Sequence, residues 1–271
     1  HEPIKKPGDS TAGPRGRKPA AIEEEIMNQK LQAVKPGTAP LTNVSLCLAS
    51  LTRAIDRPRH LPGIVVFYGP SGYGKSTAAT VATIAKRACY VQARSSWTRK
   101  ATHEAICKGL GLRPGKTVAE MSDQIAEELA LSGRPLIVDE ADYLVERGAI
   151  EIIRDIYEAS QAPIMLIGEE NLPNALKRWE RFHGRVLDWC PAQPVSFADT
   201  QALCKLHVTK TAIAEDLLRR VYAEANGSAR RVCVNLALIE SVANSSGIKE
   251  MDLATWGERE LFTGEAPVRG R

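Results

Sequence analysis

The sequence predicts an α/β protein: a parallel five-stranded sheet flanked by helices, followed by a small helical module. Three observations predict it. From Gly63 onward, short apolar runs alternate with stretches of helical periodicity, the pattern of a parallel sheet covered on both faces. A glycine-rich G-x-x-x-x-G-K-S segment stands between the first apolar run and the first helix of that series. After Pro194 the strand signal stops and only helical stretches remain. A chain of 271 residues with 44% apolar content can bury one main core and a satellite.

Taken in order, residues 1–20 carry Pro3, Pro7, Gly8, Gly13, Pro14, Gly16 and Pro19 with Lys5, Lys6, Arg15, Arg17 and Lys18, and almost nothing apolar. Such a stretch cannot offset its ordering entropy by burial and reads as a flexible basic arm. Helical spacing follows at Ile22, Ile26 and Leu31, is broken by Pro36 and Pro40, and resumes over 41–55 before Arg57-Pro58. The strand-like runs are 64–68, 89–93, 136–138, 164–167 and, more weakly, 186–189. Helices are expected over 75–87, 102–110, 118–131, 149–160 and 172–182, then over 199–206, 215–226 and 229–245 in the terminal module. The domain reading is therefore an arm and linker helix over 1–40, an α/β core over 41–194, a helical lid over 195–262 and a disordered tail over 263–271.

Cys47, Cys89, Cys107, Cys190, Cys204 and Cys233 show no C-x-x-C pair or ligand spacing, which argues against a disulfide framework and a zinc site. No apolar stretch approaches the roughly 20 residues of a membrane span, and the polar start lacks a signal-peptide run. A soluble cytoplasmic protein with no membrane partner is the expectation. The net charge of +4 is mild, but its distribution is uneven. Lys86, Arg87, Arg94, Arg99, Lys100, Lys108, Arg113 and Lys116 face a single acid, Glu104, within 86–117. That segment is a candidate anion-facing surface.

Gly69-Pro70-Ser71-Gly72-Tyr73-Gly74-Lys75-Ser76 matches the phosphate-binding loop in full and in the right context, after a strand and opening a helix. Its glycines let the backbone wrap phosphate oxygens, so that N–H groups and the helix N-terminus face the anion. Lys75 is expected on the β- and γ-phosphates of ATP and the Ser76 hydroxyl on Mg²⁺, with Thr77 completing the nucleotide-binding stretch. The same chemistry needs a carboxylate at the end of a neighbouring strand. Asp139 follows Leu136-Ile137-Val138 and is the expected second Mg²⁺ ligand, while Glu140 is the expected base that polarises water. The alternative is that Asp139 or Asp142 merely caps a helix.

With these motifs in place, residues 41–245 resemble the AAA+ ATPases. The Asp139-Glu140 pair, the run Pro163-Ile164-Met165-Leu166-Ile167-Gly168 and the segment Gly227-Ser228-Ala229-Arg230-Arg231 occur in that superfamily's order. The resemblance implies a γ-phosphate sensor at Glu169, where the family more often has Asn, Thr or Ser, with Asn171 as the nearby alternative. It implies a lid arginine at Arg230, or Arg231 one residue on. It also implies a finger arginine acting on a neighbouring subunit's ATP, for which Arg178, Arg181 and Arg185 are candidates.

Within that superfamily the chain resembles the MuB-like transposition proteins and their TniB and TnsC relatives, with ExeA-type secretion ATPases sharing several motifs. The carrying residues are Pro40-Leu41-Thr42-Asn43-Val44, Tyr90-Val91-Gln92-Ala93-Arg94-Ser95-Ser96-Trp97-Thr98, Leu110-Gly111-Leu112 and Ile167-Gly168-Glu169-Glu170-Asn171-Leu172. This likeness implies an ATP-dependent homo-oligomer or filament on duplex DNA that activates target sites for a transposase. Arg94, Thr98, Arg99 and Lys100 would meet the DNA, largely without sequence preference. Trp97 reads as a packing residue. Arg15 and Arg17, in Gly13-Pro14-Arg15-Gly16-Arg17-Lys18-Pro19, look like a degenerate AT-hook in which Lys18 displaces the usual proline. The rival readings are a loader or secretion ATPase working on protein partners, and an ATP-switched scaffold with vestigial hydrolysis.

Overall fold

Alternate residues of the central strands bury against different helices, which is why those strands read as unbroken apolar runs. The computed structural model describes residues 41–265. In chain order it has α1 (Thr42–Asp56), β1 (Ile64–Tyr68), α2 (Lys75–Lys86), β2 (Cys89–Gln92), α3 (Arg99–Gly109) and α4 (Val118–Ser132). There follow β3 (Leu136–Asp139), α5 (Asp142–Glu146), α6 (Ile150–Ser160), β4 (Ile164–Gly168), α7 (Leu172–Leu176), α8 (Glu180–His183) and β5 (Val186–Pro191). The strands form one parallel sheet in the order β2-β3-β4-β1-β5. Ile64, Val66, Leu136, Val138, Ile164 and Leu166 join a core with α3, α4 and α6. Val65, Phe67, Ile137, Met165 and Ile167 join the opposite core with α1 and α2. Two residues per pleat repeat, covered on both faces, leave no polar side.

This strand order decides where the chemistry can sit. Strand β4 lies between β1 and β3, so the loops leaving the C-terminal ends of β1, β4 and β3 are neighbours. Crevices at such chain-order switches are where open α/β sheets bind ligands.

The sequence-expected helix over 172–182 is two helices, α7 and α8. Leu172, Leu176 and Phe182 are all fully buried in one core. On a continuous helix the six residues from Leu176 to Phe182 would leave the two side chains about 120° apart. Breaking the helix returns Phe182 to the core, a burial that stabilises by roughly 2–3 kcal/mol against about 1 kcal/mol for each backbone bond lost. Helix α3 also begins earlier than its apolar spacing suggests, at Arg99, because the Thr98 side chain caps it by accepting from Ala101 N at 3.2 Å.

Beyond Pro194 come α9 (Phe197–His207), α10 (Glu215–Ala225), α11 (Ala229–Ser245) and α12 (Leu253–Trp256). Their own core contains Leu203, Leu217, Val221, Leu236, Ile239 and Trp256. The strand signal does not vanish altogether: β6 (Ala212–Ile213) and β7 (Glu250–Met251) form a two-residue parallel ladder, too short to leave a periodic trace. The six cysteines are free and buried or half-buried. Among the described residues no helix is long and apolar enough to cross a membrane. The basic arm, with Arg15 and Arg17, lies outside the described residues.

Candidate nucleotide site

The phosphate loop runs from the end of β1 into the first turn of α2. Gly72 and Gly74 take left-handed conformations, φ 85° and 82°, which side chains other than glycine rarely adopt. Gly69 N donates to Gly168 O at 3.3 Å, so the loop is tied to the end of β4. The Lys75 ammonium is buried and donates to Gly69 O at 2.6 Å and Pro70 O at 2.9 Å. Its third neighbour is Glu169 Oε1 at 3.8 Å. Ser71, Ser76 and Thr77 are exposed on the loop and the first turn of α2.

Across the crevice, Asp139 ends β3 with its carboxylate almost fully buried. Tyr90 OH donates to Asp139 Oδ2 at 2.9 Å and Glu140 N donates to Asp139 Oδ1 at 2.9 Å. Burial first, and then the Asp139 charge, push the Tyr90 hydroxyl above the usual phenol range, so it stays a donor. Each Asp139 oxygen takes one hydrogen bond and keeps a lone pair. This donor set, with a hydroxyl at Ser76, suits a magnesium ion that keeps waters and phosphate oxygens as its other ligands. Among the described residues no group of three or more acidic, histidine or cysteine side chains is arranged to hold a metal alone.

Glu140 adopts φ 55°, the left-handed region that a glutamate rarely occupies. Burial first, then Asp139, Glu169 and Asp142, raise its carboxyl above the ordinary value, while Lys75 works the other way. Asp142 does not cap α5 with its side chain. It accepts from Glu169 N at 2.8 Å and so joins the ends of β3 and β4. Gly168 makes room for this: a Cβ there would overlap the Asp142 carboxylate and Leu172 Cδ2. Gly168→Ala is expected to destabilise the fold by about 1–3 kcal/mol, seen as a lower urea midpoint at unchanged slope.

The C-terminal helical region reaches the loop directly. Arg230 N donates to Gly72 O at 3.1 Å, and Ser228 Oγ caps α11 by accepting from Arg231 N at 3.3 Å. A Cβ on Gly72 would stand 2.6 Å from Ser228 Oγ and 3.6 Å from Arg230 Cβ. Arg230 therefore starts beside the loop with an exposed side chain, whereas the Arg231 guanidinium packs near Gly264. Gly227 is fitted against Pro194 and the Tyr73 ring. From the other side, Asn43 Nδ2 donates to Tyr73 O at 2.8 Å and Gln193 O at 2.7 Å, and its Oδ1 accepts from Gln193 N at 2.8 Å.

The remaining sequence candidates make no side-chain hydrogen bond or ion pair with these groups among the described residues. Arg178 and Arg181 are exposed and make no side-chain hydrogen bond or ion pair to another described residue. Arg185 pairs with Glu158, and with Arg181 it lines a groove shared with Asp155 and Glu180. Asn171 Oδ1 accepts from Asn174 Nδ2 at 3.1 Å. Of the four described DNA-contact candidates, Arg94, Thr98, Arg99 and Lys100, all are exposed on the loop and first turn after β2. Thr98 is engaged as the α3 cap, Arg99 Nη2 donates to Gly148 O at 3.3 Å and Lys100 lies 3.9 Å from Glu104. Trp97 packs partly into the core.

Sequence reasoning missed Tyr90, Gly168, Ser228 and the Asn43 clasp as parts of the site. A lone asparagine on the buried face of α1, beside Val44 and Cys47, was the available signal for the last.

Residues 59–176 match the family model described as an AAA domain. No curated protein matches the sequence. Among solved structures the chain is similar to Cdc6p from Pyrobaculum aerophilum, at 15% identity and TM-score 0.58 over 81% of this chain and 67% of that one. It is similar to the Aeropyrum pernix ORC1 protein in complex with DNA, at 17% identity and TM-score 0.58 over 82% and 66%. It is also similar to Drosophila ORC bound to DNA, at 16% identity and TM-score 0.57 over 90% and 67%. The chain thus spans about two thirds of each of these proteins. At such identities the likeness is one of fold: the AAA+ P-loop core followed by a helical region.

Proposed function

We propose that this AAA-domain protein is a DNA-binding ATPase that assembles on duplex DNA in response to ATP and prepares it for a transposase. The observation that carries the ATPase part is the meeting, at one end of one sheet, of the Lys75 loop, the Asp139-Glu140 pair and the end of β4. In this reading the 69–77 stretch and Lys75 hold the phosphates, Arg230 closes on the nucleotide from the lid, and Glu140 takes the proton of the attacking water. Ser76 and Asp139 would hold Mg²⁺, which when bound offsets the charge on the phosphates. Glu169 stands at the sensor position. A finger arginine would come from a neighbouring copy, and Arg178 and Arg181 are the candidates not already paired, since Arg185 is held by Glu158.

The DNA part rests on Arg94, Arg99 and Lys100. Their present restraints are weak: an exposed i,i+4 pair such as Lys100–Glu104 is worth about 0.3–0.5 kcal/mol, and Arg99 makes one long hydrogen bond. Phosphate contacts would replace both readily. Two of the similar structures were determined with DNA, which supports this part of the reading. The transposase part rests on the resemblance of 90–98 and 167–172 to MuB-like proteins.

The engagement of Thr98, Arg99 and Lys100 within the chain favours a second reading, an ATPase acting on protein partners. DNA titrations at several salt concentrations separate the two. Arg99→Glu/Lys100→Glu should weaken binding and reduce the slope of log K against log salt by about 1.8, or 0.9 for each lost phosphate contact, with ATP binding retained. Wild-type protein that ignores DNA would favour the second reading. An unaltered slope in the double variant would move the interface elsewhere.

A further inference from the structure

We propose that Glu169 discriminates between nucleotides: its carboxylate is the resting counter-ion of Lys75, and the terminal phosphate of ATP has to displace it. The inference rests on the reading of this crevice as an ATP site, and it concerns a residue type that the site does not need for hydrolysis.

Lys75 is buried, and two of its three partners are neutral carbonyls of its own loop. The third, Glu169 Oε1 at 3.8 Å, is its one direct ion-pair partner among the described residues. The backbone of residue 169 is held in place from both sides. Its N–H donates to Asp142 Oδ2 at 2.8 Å, and its carbonyl accepts from Leu172 N at 3.1 Å as the chain turns into α7. The side chain is about half exposed, at 49%. It can therefore swing, but its point of attachment cannot leave the crevice between the loop and Glu140.

Charge then decides the outcome. Asp139, Glu140, Asp142 and Glu169 crowd this end of the sheet: Glu140 N sits on the Asp139 carboxylate at 2.9 Å and Glu169 N on that of Asp142 at 2.8 Å. A γ-phosphate arriving at Lys75 meets an anion at residue 169, where a neutral sensor would offer a hydrogen bond. ADP brings its β-phosphate to Lys75 but no charge to the γ position beside residue 169, and so meets less opposition. The acid therefore lowers the affinity for ATP relative to ADP, and any cation brought close to Glu169, such as an arginine from a neighbouring copy, would restore it.

Calorimetric titration of the full chain with Mg²⁺ and either ADP or a non-hydrolysable ATP analogue tests this. Glu169→Gln should tighten the analogue about fivefold while ADP stays within about twofold, the scale of a half-exposed charge pair. Glu169→Asp, which keeps the charge, should stay near the wild-type ratio. Equal shifts for both nucleotides, or no shift, would overturn the inference while leaving the ATP site intact. Wild-type protein that binds neither nucleotide would overturn the site itself.

Discussion

Glu140→Gln is expected to leave ATP and DNA bound and to lower phosphate release by about 10²–10⁴-fold, the contribution of a positioned general base. Glutamine keeps the length and hydrogen-bonding shape of the side chain but cannot take a proton. The position is specialised in two ways. Its backbone sits at φ 55°, a conformation that costs of order 1–3 kcal/mol for a residue with a side chain, and its N–H is fixed on the buried Asp139 carboxylate. Its carboxyl is raised above the ordinary 4.5, first by burial and then by Asp139, Glu169 and Asp142. A raised pKa makes a carboxylate a stronger base at neutral pH. The sign for turnover follows, because the base acts only when deprotonated: wild-type activity should fall as pH drops through a value above 4.5. Single-turnover assays across pH check both points. Phosphate release unchanged in Glu140→Gln would remove this residue from the role of base.

The parts of this protein that were legible in sequence are those made by neighbours in the chain. Gly69 to Ser76 and Leu136 to Glu140 each carry their chemistry within eight residues or fewer, and strand runs such as 64–68 announce themselves because both faces are apolar. The contacts that arrange these pieces join residues far apart. Tyr90 OH meets Asp139 across 49 positions, Asp142 meets Glu169 across 27, and Ser228 Oγ lies by Gly72 across 156. A tyrosine inside an apolar strand, or a serine before a helix, looks ordinary until the fold supplies its partner. The break between α7 and α8 was hidden for a related reason. Lys177-Arg178-Trp179 has no helix-breaking residue, and the destination of Phe182 in the core decides the geometry. In the proposed reading the arginine candidates at 178–185 stay several, because the copy that would tell them apart is not part of a single chain.

Asp199→Ala should loosen the C-terminal helical region from α1, with a loss of about 2–4 kcal/mol. One carboxylate serves two helix starts here. It accepts from Ser196 N at 3.0 Å and Ser196 Oγ at 2.8 Å, completing the capping box of α9. Its oxygens also accept from Thr42 N at 2.8 Å and Thr42 Oγ1 at 2.9 Å, 157 positions away at the first turn of α1. Helix α1 has no side-chain cap of its own at Leu41, so Asp199 supplies one, and both N-termini favour the negative charge. The next residue, Asn43, holds the carbonyl of Tyr73 in the phosphate loop. Removing the carboxylate leaves two backbone N–H groups without their acceptor at this junction, while the hydroxyls can turn to solvent. The melting temperature should fall by roughly 5–12 °C for a chain of this size, and ADP should bind less tightly because Asn43 loses its neighbour's anchor. Burial raises the Asp199 carboxyl, but the Ser196 and Thr42 donors outweigh it and hold it below the ordinary 3.8. A carboxyl lowered on folding adds stability that is present above its unfolded value and disappears as pH falls through the folded one. The gap between wild type and Asp199→Ala should therefore be widest near neutral pH and shrink in acid below 3.8. Equal melting temperatures at pH 7 would show that the C-terminal helical region is held by its apolar contacts alone.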